Sequence, residues 1–268
     1  MLKRTLAFLK KDFLIESSYK LSFLLNIFAV LASILTYFFI DKLFGNRMVE
    51  NLNEFGVTYF SYVLLSMAFF SYAGVGLGSF SNRIRNEQLQ GTLEALLLTP
   101  AKTSTILLSL ALWNLCVATF NMAIYILLGI YLFKINFTNI NWLSTMVILL
   151  LTITSFSGLG IFSASFIMVF KRGNPAGWFI ATLEGLIGGV YFPITVMPAC
   201  LQYLAKLLPI TYAIRAIELA VYRGFGVIQL SKEITLLLLF SCLLLPLSFA
   251  SFKYALKKAR RQGSLLQY

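Results

Sequence analysis

Histidine is absent from the 268 residues. Without an imidazole there is no His-based acid/base catalysis, no Ser-His or Cys-His pair, and almost no zinc chemistry. Cysteine is scarce. Cys116, Cys200 and Cys242 show neither metal-ligand spacing nor an even-numbered disulfide framework, and they read as packing residues. Charge is scarce as well, at 12% of residues, with 10 acids against 22 Lys and Arg. The two aspartates, Asp12 and Asp41, fall outside the apolar runs and no acids are paired, which leaves little from which to build a membrane-embedded enzyme site. No Gly-x-x-x-x-Gly-Lys-[Ser/Thr] run occurs, so the chain does not cradle a nucleotide in the P-loop manner. The expectation is a chain with no catalytic residue, no metal site and no cofactor of its own.

Apolar residues dominate instead, at 59% with a mean hydropathy of +0.83, where soluble domains hold roughly 45–50%. They come in long unbroken runs, which makes this an all-α integral membrane protein with a single transmembrane domain over 1–268. Six spans are expected, at 21–40, 57–80, 105–133, 143–170, 177–192 and 234–252. Residues 1–20 place Leu2, Leu6, Leu9 and Phe13 on one stripe and most of the lysines off it, as in an amphipathic helix lying on an anionic membrane surface. That stretch is too long and too charged for a signal peptide, so the first span is expected to persist in the mature chain.

The net charge of +12 comes from basic residues gathered at span ends rather than on a nucleic-acid-binding face, and no nucleic-acid partner is expected. If both termini are cytoplasmic, fifteen of the 22 Lys and Arg face inward and seven face outward. The positive-inside rule selects that orientation in a cytoplasmic membrane.

Small residues mark packing faces. Gly74 and Gly78 form a GxxxG pair, and Ser155, Ser157, Gly158, Gly160, Ser163, Ala164 and Ser165 line the fourth span. Between 193 and 223, Pro193, Pro198 and Pro209 divide apolar pieces too short to cross a bilayer. With Arg215 and Glu218 three residues apart on one face, these pieces read as two short re-entrant or interfacial helices. Pro246 is expected to kink the last span.

Charges at 82–100 form an island between the second and third spans. Its far half reads as a small amphipathic helix closed by Pro100, with Leu93, Leu96 and Leu97 on one side. Arg83, Arg85, Glu87 and Glu94 beside that helix favour contact with a partner over a purely topological role, since charged rims fix register and steer docking.

Two stretches resemble the permease subunits of ABC-2 type exporters. One is Gly91-Thr92-Leu93-Glu94-Ala95-Leu96-Leu97-Leu98-Thr99-Pro100. The other is Phe192-Pro193 through Pro198, Leu201, Leu208-Pro209-Ile210-Thr211-Tyr212 and Arg215. The resemblance implies a half-transporter whose pathway is formed with a second copy, or with a related permease. It implies a separate cytoplasmic ATPase subunit, in two copies, that binds ATP and Mg. Arg83, Arg85, Glu87, Gly91, Thr92, Leu93, Glu94, Leu97 and Pro100 then belong to a cytoplasmic coupling helix between spans two and three, and the two outward helices close the pathway.

Pathway or gate candidates are Asn114, Asn121, Tyr125, Glu184, Tyr191, Phe192, Pro193, Tyr203, Tyr212 and Arg215. Asn114 and Asn121 share a face with Tyr125, to line a polar route or to bond neighbouring helices. The aromatic residues near the outer mouth either contact substrate or anchor at the interface. Glu184 is the charge inside a span. It is either a functional acid, whose change to Gln would reduce transport, or a glutamate bonded to a neighbouring helix. The substrate is expected to be amphipathic: a hydrophobic drug, a lipid or a lipid-linked glycan. A proton-coupled secondary transporter using Glu184 is the competing reading, weakened by the lack of a second intramembrane charge and of an inverted repeat.

Overall fold

The computed structural model describes residues 10, 14, 18, 20–48, 52–89, 103–135, 137, 139–170 and 174–261, and they are helical nearly throughout. In order come α1 (Lys20–Met48), α2 (Tyr59–Leu89), α3 (Thr103–Phe133), α4 (Trp142–Phe170), α5 (Pro175–Ile187), a 3-10 turn (Ile194–Val196), α6 (Ala199–Ala205), α7 (Pro209–Tyr222) and α8 (Ser231–Arg261). In hydrocarbon a backbone must satisfy its own N–H and C=O groups, so each long apolar run becomes a helix. Serine and threonine inside the runs are absorbed by the same logic. Thr36, Thr119 and Thr152 each donate to the carbonyl four residues back.

Five helices, α1 to α4 and α8, are long and apolar enough to cross a membrane. Four extend beyond the expected spans. α1 continues past Asp41 to Met48, α2 runs through Arg85 to Leu89, α3 begins at Thr103, and α8 runs from Ser231 to Arg261 with Pro246 inside it. The expected span at 177–192 is different. Its helix is Pro175–Ile187, about 20 Å at 1.5 Å per residue, against roughly 30 Å of hydrocarbon.

Even so, the segment travels most of the bundle. Asn174 donates to Ser81 near one end of α2, and Tyr62 near the other end donates to the Gly189 carbonyl. Ser81 and Tyr62 are about 28 Å apart along the helix.

α4 is the hub, flanked by α2 and α8, while α2 also packs against α3, and α7 rests on α2, α4 and α8. The small residues of α4 are what let its neighbours approach. A Cβ on Gly160 would stand 2.5 Å from the Gly76 carbonyl oxygen and 2.8 Å from that of Leu77, and one on Gly158 would stand 3.1 Å from Leu244 Cβ. Ser155 pairs with Ser241 at 2.8 Å and Ser251 donates to Ser165 at 3.2 Å, tying α4 to α8.

The expected GxxxG contact is corrected here. Among the described residues a Cβ on Gly74 would meet nothing within 4 Å and one on Gly78 only Asn82 Nδ2, so Gly76, which faces α4, makes the close approach. α1 is held mainly by rings: Phe38 lies 5.5 Å from Phe60 and 4.9 Å from Phe133, and the latter two are 5.0 Å apart. Each such pair contributes about 0.5–1.5 kcal/mol beyond burial.

Candidate functional site

Of the expected docking residues, Arg85 is half-buried on the last turns of α2, and Arg83 and Glu87 lie on the same helix with side chains outside the described set. Gly91, Thr92, Leu93, Glu94, Leu97 and Pro100 lie outside the described residues. Most of residues 1–20 does too.

At the opposite end of α2, the proline-divided segment forms a compact cap. Pro193 and Pro198 are the residues before the 3-10 turn and α6, and Pro209 is the first residue of α7, where its missing N–H costs nothing. Both ends of α7 stay at this end of the bundle. The Ala220 carbonyl accepts from Asn141 N beside the start of α4, and Tyr222 donates to the Ser61 carbonyl.

Glu184 faces the beginning of α7 and is 1% exposed. Its Oε2 accepts from Ile210 N at 3.2 Å, the first N–H available after Pro209, and Leu208 offers no side-chain cap of its own. A carboxylate at a helix N-terminus meets unpaired donors and the positive end of the dipole together. The same device recurs at α2, where Asp41 accepts from Phe60 N at 3.2 Å. At the other end of α5, Asn174 caps the helix by accepting from Gly177 N, also accepts from Ser163, and donates to Ser81 at 2.8 Å. Thus α5 is hydrogen-bonded to α2 and α4 at one end and to α7 at the other.

The shared Arg215 and Glu218 face is not realised. Arg215 turns to Glu54 at 2.6 Å and Glu233 at 3.7 Å, joining the loop before α2, helix α7 and the start of α8. Glu218 is fully buried against α2, where Ser66 donates to its Oε1 at 2.9 Å and its Oε2 meets no partner among the described residues. Burial pushes its carboxyl well above the ordinary carboxylate range. It is therefore a second buried acid, one that the sequence reading did not count. Arg223 holds the same loop by donating to the carbonyls of Asn53 at 2.8 Å and Glu54 at 3.2 Å.

The remaining candidates divide. Tyr191 stacks on Tyr37 at 5.6 Å, Tyr212 donates to the Lys206 carbonyl at 2.8 Å, and Lys206 Nζ lies 4.9 Å over the exposed ring of Tyr203. Burial raises the Tyr212 phenol above its usual range, which keeps it a donor. Pro193 is buried and Phe192 is exposed. Farther away, Asn121 accepts from Asn26 at 3.4 Å across α1 and α3, Tyr125 is buried in the core, and the side chain of Asn114 lies outside the described set.

Sequence spacing missed Glu54 and Glu233, because nothing local marks a partner 161 residues away or one on the next helix. Among the described residues no cluster of His, Cys, Asp or Glu could hold a metal ion.

Comparison with known proteins gives one family and one kind of relative. The profile of the ABC-2 type transporter family matches residues 4–222. Proteins described as inner membrane transport permease YadH, from Escherichia coli strain K12 and from Shigella flexneri, are each 24% identical over 181 residues. The match covers 67% of this chain and 69% of theirs.

Proposed function

This chain belongs to the ABC-2 type transporter family, and on that basis we propose that it is the membrane-spanning permease subunit of an ATP-driven exporter in a cytoplasmic membrane. A separate ATPase chain, in two copies, binds ATP and Mg, and a second permease completes the pathway. The cargo is amphipathic: a hydrophobic drug or lipid, or a lipid-linked glycan. The observation that carries the reading is the family match over 4–222, which includes both the docking stretch at 82–100 and the proline-divided cap. The relatives' name and the five long apolar helices together support a multi-pass inner-membrane permease.

In this reading the chain crosses six times. Residues 174–193, helix α5 and the bends after it, make the fifth crossing, and α6 and α7 re-enter from the outer side without crossing. The 82–100 stretch seats in the ATPase. Motion imposed there on the end of α2 passes through Ser81 and Asn174 into α5, and from Glu184 into α7 beneath the outer opening. Proton coupling through Glu184, whose Oε2 accepts from the Ile210 N–H, is the competing mechanism.

The test is purification of the tagged chain from its native membrane in mild detergent, with mass spectrometry of what accompanies it and an ATP hydrolysis assay. A stoichiometric ATPase is expected, and Glu94→Lys should lower its binding or activity about tenfold, as loss of one central charged contact does. A chain recovered alone even after cross-linking in the membrane would overturn the proposal. Full coupling in Glu94→Lys would remove the docking role from that residue.

A further inference from the structure

The cap encloses a cavity of about 420 Å³ where the loop before α2, the segment after α5, and helices α6, α7 and α8 meet. That is within the usual ~300–1,000 Å³ of small-molecule sites. Five charged side chains line it: Lys206, Arg215, Lys232, Glu54 and Glu233. Both glutamates are engaged by Arg215. Lys206 has only the Tyr203 ring beneath it, and neither it nor Lys232 has a carboxylate within ion-pair reach among the described residues.

Three neutral polar groups of the wall are already committed. Gln202 donates to the Met197 carbonyl at 2.8 Å, Thr211 to that of Ala205 at 2.7 Å, and Tyr212 to that of Lys206 at 2.8 Å. Beside the Thr195 side chain, what the cavity still offers a ligand is two ammonium groups with three donors each. Phe55, Ile194 and Leu236 supply an apolar wall. α6 and the residue after its C-cap also expose Leu201, Leu204 and Leu207, apolar surface that neighbours Lys206 in the chain.

We infer that this cavity is a binding site for the head of an anionic amphiphile, a phosphate or carboxylate group carried on a hydrocarbon chain. The anion sits between Lys206 and Lys232 and competes with Glu54 and Glu233 for Arg215, while the chain lies along the leucines of α6. Because Arg215 joins the loop before α2 to α7 and α8, an anion that draws it away loosens those contacts. The inference rests on the transport reading for its biological meaning, since it makes the cargo anionic and places it at the outer opening. Its test does not depend on ATP or on an ATPase, so the two can fail separately.

The full chain in phosphatidylcholine nanodiscs would be titrated by thermophoresis with dihexanoyl phosphatidylglycerol, dihexanoyl phosphatidylcholine and inorganic phosphate. The anionic lipid should bind, and more weakly as salt is raised. K206Q combined with K232Q should weaken it at least tenfold, whereas K253Q, outside the cavity, should not change it. E54Q removes a competing anion and should tighten binding about threefold, a gain that misfolding does not produce. Equal binding of phosphatidylcholine, or unchanged affinity in the double lysine variant, would overturn the site. Inorganic phosphate binding as tightly as the anionic lipid would overturn the assignment to an amphiphile.

Discussion

Replacing Gly160 by leucine is expected to leave little monodisperse protein, and Gly160→Ala to lower thermal stability measurably. The reason is where the added atom would go. A Cβ at 160 would stand 2.5 Å and 2.8 Å from two backbone oxygens of α2, which yield only if the helices separate. Overpacking of this kind costs about 1–3 kcal/mol for small additions and more when the opposing atoms are backbone. In lipid there is no hydrophobic drive to bring separated helices back together, so the loss of close packing is felt in full. Gly74→Ala provides the contrast: among the described residues nothing lies within 4 Å of its Cβ, and the change should stay within about 0.5 kcal/mol. Fluorescence-detected size exclusion with a heating step would measure all three. A stable Gly160→Leu protein would show that α2 and α4 are not in contact at this point.

Glu184 should distinguish oxygen from charge. Glu184→Gln keeps an acceptor for the Ile210 N–H and is expected to retain at least half of transport, whereas Glu184→Leu leaves that buried donor unpaired and should reduce transport more than tenfold. A buried donor without a partner costs about 1–3 kcal/mol, enough to release the start of α7 from α5. Transport into inverted membrane vesicles, normalised to assembled complex, is the measurement. Equal loss in both variants with assembly intact would mean that the ionisable group itself is required, and the proton-coupled reading would then lead.

Much of the architecture is written in the sequence. Apolar runs at 57–80, 105–133 and 143–170 had to be helices, because nothing else in hydrocarbon satisfies a single segment's backbone. Pro175 and Pro209 mark helix starts for a local reason, a fixed φ and no N–H to lose. The small face of the fourth span reads as a packing face and is one, with Ser155, Gly158, Gly160 and Ser165 all at contacts.

What tertiary structure alone decided is which partner each group meets. Spacing puts Gly74 and Gly78 on one face of α2 and Gly76 on the other, and only the azimuth of α2 against α4 selects Gly76. Arg215 and Glu218 obey the i, i+3 rule, yet Glu54 and Glu233 take the arginine while α7 turns the glutamate into the core against Ser66. Glu184 reads as a charge inside a span until the chain folds back to bring the Ile210 N–H against it. Periodicity specifies the face on which a side chain stands, because that is a property of one helix. The neighbour across that face is set by packing between helices far apart in the chain, and the chemistry of the cap is a property of those neighbours.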